Sequence, residues 1–554
     1  MKITIELQPQ IGAEILTVEI EAGITLERLL SEYQAGLPYR VMAASVNNRV
    51  EELTFAINAP CEVKFLDMRS NAADRMYQRS LCLTYLKAIR DVLGKVDTDI
   101  YNSLNRGLYT EINTERPVTD EEIKNIEQRM GKLVEADLPI RKMLLNREGL
   151  LKYFEAELSE EKRELLRYAP DIHYIAVYEL EDYRNYFYGQ MVPSTGYLRY
   201  FELHRYEDGI LLRYPHPAFP DTLPPYVNDA NLFAAFEEGR RIGQLFHLSF
   251  AGDLNREIEK GKAGELILIS ERLHAAKIHH IADMIEKLNK RIVLIAGPSS
   301  SGKTTFSKRL IAEMKERGSE PLYLGTDDYF VERNESPKDE HGENDYEGID
   351  AIDLKLFNSN INDLLAGKET ILPTYDFLAG KKVYHRRAKL GAAQPIVIEG
   401  IHALNSLMSD QVSDDEKFKV YISPLTQINL DDHNRIPTTD VRLIRRIIRD
   451  NRTRGNSVTT TIKSWPKVRR GEDVNIFPYN GEADVVFNSA LIYELSVLRL
   501  HCETLLADVR PEDPQYGDAV RLLDFLRFFR PLENEDEIPN DSILREFIGL
   551  RPQD

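Results

Sequence analysis

The stretch Arg291-Ile-Val-Leu-Ile-Ala296-Gly297-Pro298-Ser299-Ser300-Ser301-Gly302-Lys303-Thr304-Thr305 decides the fold. A strand-sized apolar run enters Gly-x-x-x-x-Gly-Lys-Thr, and a helical pattern follows to about Arg317. The pattern carries its chemistry only in this setting, with a strand before it and a helix after it. Glycines let backbone N–H groups curl around phosphate oxygens, and the helix N-terminus adds the positive end of its dipole. Lys303 is expected to reach the β and γ oxygens of a nucleoside triphosphate, and the Thr304 hydroxyl to ligate Mg²⁺. Gly297, Pro298, Ser299, Ser300, Ser301, Gly302, Lys303, Thr304 and Thr305 are thus the expected nucleotide-binding residues.

Outward from this loop, residues 291–490 alternate strand and helix, with further strands at Pro321–Leu324 and Pro395–Ile398. Such alternation predicts a parallel sheet covered on both faces. A phosphate-binding loop alone does not separate a GTPase, a motor and a kinase. No Asn-Lys-x-Asp occurs, so guanine recognition of the usual kind is unsupported and ATP is the expected nucleotide.

Three further elements bear on the reaction. Thr326-Asp327-Asp328-Tyr329-Phe330 puts two acids at the C-terminal end of a short strand, where ligands bind in such sheets. A carboxylate there is suited to accept the proton of a hydroxyl. Ile396-Val-Ile-Glu399-Gly400 sets an acid at another strand end, suited to hold magnesium directly or through water. Asp440 to Gly455 places Arg442, Arg445, Arg446 and Arg449 three or four apart, predicting one basic helical face over the transferring charge. Each element alone is equally at home as a turn acid, a solvated strand-end acid or a solvated basic helix. Their order within one segment favours a site.

Together with Leu372-Pro-Thr-Tyr375-Asp-Phe377, these motifs resemble the uridine kinase and phosphoribulokinase family. The resemblance implies that Asp327 is the catalytic base, with Lys303 and Arg449 in the catalytic set. It implies that Tyr375, Glu347 and Arg446 bind the acceptor, that Thr304 and Glu399 serve the magnesium, and that Arg454 contacts phosphate. The sequence departs from the uridine kinase pattern at three positions. Glu347 stands for an aspartate that binds ribose hydroxyls, Gly380 for a histidine against the base, and Asn456 for a second lid arginine. His385, Arg386 and Arg387 are the nearby candidates to replace the missing groups.

The amino-terminal half has its own resemblance. Residues 1–67 alternate like strands at Ile3-Ile5-Leu7 and at Ile15-Leu16-Val18-Ile20, with a helix from Thr25. They resemble the TGS domain of threonyl-tRNA synthetases. Residues 68–270 include a capping box at Thr119 and Glu122 and strand-like runs at Tyr174–Leu180, Tyr197–Leu203 and Ile210–Tyr214. They resemble the editing-type domain of the same enzymes, through Gly107-Leu-Tyr109, Arg116-Pro-Val-Thr119, Glu127-Gln-Arg-Met130 and Val192-Pro-Ser-Thr195-Gly196. The positions of that domain's His and Cys pairs hold Arg79, Leu83, Phe187 and Met191. That set neither binds zinc nor activates water. The resemblance therefore implies a retained scaffold, with regulatory, ligand-binding, nucleic-acid-binding and oligomerising roles all open. A connecting helix is expected over 271–290 and a charged helical extension over 491–554.

The expected fold class is multidomain α/β: a P-loop kinase domain preceded by a β-rich TGS-like unit and an α+β editing-like unit. The chain has 554 residues, 42% hydrophobic and 29% charged, as in soluble proteins of several domains. No apolar run approaches membrane-span length, and the N-terminus lacks signal-peptide features, so a cytoplasmic protein is expected. Cys61, Cys82 and Cys502 match no metal or redox spacing. A net charge of −19 disfavours nucleic acid as the main partner, while leaving it open through the amino-terminal units. The favoured function is ATP- and Mg²⁺-dependent phosphorylation of a nucleoside at its 5′-hydroxyl, uridine-like compounds first. The alternatives are a kinase of another small alcohol, such as a sugar phosphate or vitamin precursor, and a regulator that senses tRNA or nucleotide.

Overall fold

The computed structural model describes residues 1–104, 106–153, 159–168, 172–339 and 342–551. The first 67 residues form a five-stranded sheet in the order 16–21, 2–8, 62–67, 41–46, 49–52. Ile3, Ile5 and Leu7 point inward as their alternation requires. Asn47 and Asn48 adopt positive φ (47° and 63°) to close the hairpin between the last two strands of that order. The helix after Thr25 buries Leu26, Leu29 and Leu30, and the Thr25 side chain caps it. One expectation fails here. Ile15 and Leu16 are exposed, and only Ile20 of that run is fully buried, because the strand lies at the sheet edge.

Helix α1 (Asn71–Leu93) joins this sheet to a four-stranded antiparallel sheet and a separate three-stranded one. The capping box at Thr119 and Glu122 opens the helix Asp120–Glu135. The strand expected at Tyr197–Leu203 is displaced to Glu202–Tyr206, because Thr195–Tyr197 winds into a 3-10 turn. There Thr195 donates its hydroxyl to Leu133 O (2.5 Å) and accepts from Leu138 N (2.8 Å). Leu83, Phe187 and Met191 are buried in the amino-terminal core, and Arg79 donates to Gln190 O at 2.9 Å. The helix expected over 271–290 starts earlier and runs Ala263–Lys287.

The second half is built on five parallel strands, β1 (Ile292–Ala296), β2 (Leu322–Gly325), β3 (Ile396–Glu399), β4 (Lys417–Ser423) and β5 (Val485–Asn488). Their order is β2-β3-β1-β4-β5. Every residue of β1 is buried, and the two faces feed different cores. Val293 and Ile295 pack on one side, Ile292 and Leu294 on the other. The order puts β1 centrally, so the ends of β1, β2 and β3 meet at one rim. The carboxy-terminal segment is part of this body: Ile538, Ile543, Leu544 and Phe547 are fully buried in the cluster that contains Val293, Val420 and Ile422. Among the described residues no helix is long and apolar enough to cross a membrane.

Candidate active site

The loop Gly297–Gly302 turns from β1 into α2 (Lys303–Glu316). Two glycines are required sterically. A Cβ on Gly297 would lie 2.1 Å from the backbone oxygen of Ile422, and Gly302 holds φ +87° against Ile543. Ser300 also takes positive φ (60°). The loop has the donors of an oxyanion cradle. Among the described residues the N–H groups of Ser300, Gly302, Lys303 and Thr304 have no protein acceptor, and the Ser300 and Ser301 hydroxyls are buried without a partner. Lys303 is buried and donates to Pro298 O at 3.2 Å, its ammonium held over the loop.

Two carboxylates converge on that lysine. Asp327 sits in the 3-10 turn after β2, reachable by solvent at the foot of a cleft walled by protein. Withdrawal from bulk water raises its pKa, against the pull of Lys303, Arg454 and Arg449, with Asp328 adding to the rise. Glu399 ends β3 and accepts from Tyr323 (3.0 Å) and from the Thr304 hydroxyl (3.3 Å). Burial pushes its pKa up to about 7, Lys303 opposes that, and Asp327 and Glu546 reinforce it. Asp328, the other acid of the pair, is committed to structure, accepting from Tyr375 N at 3.3 Å.

Glu347 lies across the cleft. Burial raises its pKa to about 7, with Arg446 opposing and Glu472 and Asp345 assisting. It is braced by Gly471, where a Cβ would come within 2.5 Å of its own. Beside it Tyr375, Phe330, Phe377 and Tyr346 form an aromatic cluster, with ring centroids 5.1 to 5.8 Å apart between successive pairs. The Tyr375 hydroxyl is buried without a partner. At Gly380 (φ +68°) the Arg333 guanidinium fills the space a side chain would need. Of the three candidate replacements, Arg386 donates to Tyr323 O (2.7 Å), His385 faces Asp328 electrostatically, and Arg387 pairs with exposed Glu369 at 3.8 Å.

The single basic face expected of α3 (Thr438–Arg454) divides in two. Arg442 and Arg445 are fully buried, paired with Glu472 and Glu494. They donate to Ser299 O (2.9 Å) and Ser300 O (3.4 Å), and so brace the loop from behind. Arg446, Arg449 and Arg454 surround buried Asp450 at 3.3, 2.8 and 3.4 Å. One carboxylate for three guanidiniums leaves positive charge over, and it acts on Asp327 and Glu347. Arg446 also donates to the Ser299 hydroxyl at 2.9 Å.

Residues 292–495 match the phosphoribulokinase and uridine kinase family. A domain of the P-loop kinase kind therefore lies within those residues. A solved putative fructose transport system kinase from a Silicibacter species covers 38% of this chain and 98% of its own, at 14% identity and TM-score 0.26. A possible uridine kinase from Bacillus stearothermophilus covers 36% and 88%, at 22% identity and TM-score 0.25. The amino-terminal region is similar to threonine–tRNA ligases. That of Acetivibrio thermocellus is 25% identical over 185 residues, 33% of this chain and 29% of the ligase. That of Alkalilimnicola ehrlichii is 24% identical over 244 residues, 42% and 38%. The chain spans well under half the length of these relatives.

Several residues around the kinase-family loop carry no signal in the sequence. Glu472, on α4 (Val458–Asn475), accepts from Ser299 N at 3.0 Å as well as from Arg442. Glu546 accepts from Thr305. Fully buried His402 follows Glu399 by three residues, and its pKa is lowered to about 4 by burial and by Lys303, so it is neutral at pH 7. No motif marks Glu472 or Glu546, because each reaches the loop through tertiary packing.

Proposed function

We propose that this protein transfers the γ-phosphoryl group of ATP to the 5′-hydroxyl of a nucleoside, uridine-like compounds favoured. The observation that carries the reading is Asp327, a solvent-reachable carboxylate facing Lys303, Arg449 and Arg454 across one cleft. An acceptor hydroxyl entering the cleft gives its proton to Asp327 as it attacks phosphorus. Lys303 and the arginines of α3 hold the transferring charge, and the loop N–H groups hold the remaining phosphates. Thr304 and Glu399 form an oxygen donor pair of the kind a hard cation takes, and they would hold Mg²⁺. When bound, that ion neutralises charge on the phosphate oxygens. The aromatic cluster at Tyr375 and the carboxylate of Glu347 suit a planar base and a pair of ribose hydroxyls.

The placement of Arg333 at Gly380 favours a second reading, a kinase whose acceptor already carries an acidic group such as a sugar phosphate. Product formation from ATP, measured over a panel of nucleosides, sugars and sugar phosphates, separates the two. Nucleoside 5′-monophosphate as the product is the expected result. Turnover confined to sugar phosphates would replace the first reading with the second.

A further inference from the structure

Away from the kinase cleft, a cavity of about 580 Å³ lies where the amino-terminal sheet, α1, the middle sheets, the entry to α3 and the carboxy-terminal helices meet. Seven Lys or Arg side chains line it against three Asp, in a chain whose net charge is −19. Five of the seven are accounted for or peripheral. Arg521 holds Asp440 (2.6 Å), Arg75 holds Asp518 (3.4 Å), Arg527 holds Asp524 (2.9 Å) and Lys142 holds Glu52 (3.2 Å), while Arg49 is exposed at the rim.

Arg79 and Arg435 remain. Arg79 donates to Gln190 O at 2.9 Å and Arg435 to Gln78 Oε1 at 3.2 Å. Neither has a carboxylate within 4.0 Å among the described residues. Arg79 is also set one helical turn from Arg75, an arrangement that repels. Its guanidinium lies against Gly189 (φ +126°), where a Cβ would be 2.4 Å from Arg79 Cζ, so the backbone makes room for this arginine. Burial and Arg75 lower its pKa to about 10. Asp440 and Asp74 act on these guanidiniums only from beyond contact distance, Asp440 already being held by Arg521. A half-buried cation with no carboxylate in contact costs stability, and an oxyanion seated between the guanidiniums reduces that cost. The rest of the wall is mixed: Phe187, Leu108, Leu144 and Phe528 supply apolar surface, beside polar groups such as Gln190 and His433.

We infer that this cavity binds a small organic oxyanion, a phosphomonoester or carboxylate with an apolar body, through Arg79 and Arg435. Arg435 precedes the first residue of α3 by three positions, so the occupant sits at the root of the helix that carries Arg446 and Arg449.

The test uses the full chain carrying Lys303→Ala, so that the kinase loop does not contribute. Phenyl phosphate, benzoate and phenol are titrated at low salt by calorimetry. One of the two anions is expected to bind at a single site while phenol does not, and the better of the two identifies the oxyanion. Arg79→Gln and Arg435→Gln are each expected to weaken that binding at least ten-fold. Arg435→Gln keeps the test sound if Arg79→Gln does not fold, as judged by circular dichroism. Absence of binding by both anions, or unchanged affinity in the folded variants, overturns the inference.

Discussion

One oxygen of Glu546 accepts hydrogen bonds from both the backbone N–H (3.3 Å) and the hydroxyl (2.8 Å) of Thr305. A carboxylate thus sits on donors in the first turn of α2, where the helix dipole attracts anions. The segment is fastened to α3, since Arg452 donates to Phe547 O and Glu546 O, both at 3.0 Å. Glu546 competes with any phosphate for these donors and repels it. Glu546→Gln is therefore expected to tighten ATP binding about five-fold, for about 1 kcal/mol of charge interaction. The same change removes a favourable charge from the free protein, so its Tm falls. Titration calorimetry and melting check the two opposite signs; weaker ATP binding by the variant contradicts the argument.

Asp327→Asn keeps the shape of the side chain and removes the proton acceptor. Phosphoryl transfer is expected to fall by about 10²- to 10⁴-fold, with nucleotide affinity and Tm nearly unchanged. Lys303→Ala is expected to abolish transfer and to weaken ATP binding as well. Steady-state kinetics beside nucleotide titration distinguishes the two patterns. An Asp327→Asn enzyme of normal kcat would remove Asp327 from the reaction.

Much of this site is legible in the sequence, and the limits have a physical cause. The placement of the loop, Asp327 and Glu399 at strand ends is legible because strand, turn and helix signals are local, and the sheet order brings those strand ends together. The single basic face expected of α3 is not what the structure shows, because three- and four-residue spacing marks one face without saying what covers it. Arg442 and Arg445 turn inward to Glu472 and Glu494, whose own positions depend on later helices. The edge strand misleads for a similar reason: alternation is present, but only its later residues Val18 and Ile20 pack on the core, while Ile15 and Leu16 stay exposed. Glu546 and the cavity at Arg79 arise only where distant segments dock.

Glu399 and Glu347 both have folded pKa values near 7, raised from 4.5 chiefly by burial. The folded protein therefore binds more protons than the unfolded chain between those values, and stability falls as pH rises through that window. Above about pH 7.5 the dependence from these groups levels off. Glu399→Gln removes one such contribution, on the order of 1–3 kcal/mol. The variant is expected to show a flatter Tm between pH 5 and 7.5 and to melt above the wild type at pH 8. Parallel slopes for the two proteins would show that Glu399 ionises normally.

Gly400 follows Glu399, and a Cβ there would stand 1.7 Å from the Thr326 hydroxyl oxygen. Thr326 is fully buried and neighbours Asp327, so the clash is relieved only by moving the turn that carries Asp327, the proposed base. Gly400→Ala is expected to cost about 1–3 kcal/mol in overpacking. It is also expected to lower kcat more than ten-fold while ATP affinity changes little, because the loop of β1 is untouched. Urea denaturation and kinetics measure both effects; full kcat in a folded variant would mean that the turn does not need its present position.

Arg442 and Glu472 form a buried pair beneath the phosphate loop. Removing Arg442 leaves Glu472 with only the half-buried Arg469 as counter-ion, and Arg442→Met is expected to cost about 3 kcal/mol in urea denaturation. Glu472 would then keep its bonds from Ser299 N and Arg469 but lose the fully buried one of its two counter-ions. Neutralising it as well, in Arg442→Met with Glu472→Gln, is expected to recover at least half of that stability while leaving ATP binding impaired. The amide oxygen still accepts from Ser299 N, but the Arg442 bond to Ser299 O is gone and the loop is held less firmly. Recovery of ATP binding together with stability would show that the pair supports the fold and plays no part in shaping the loop.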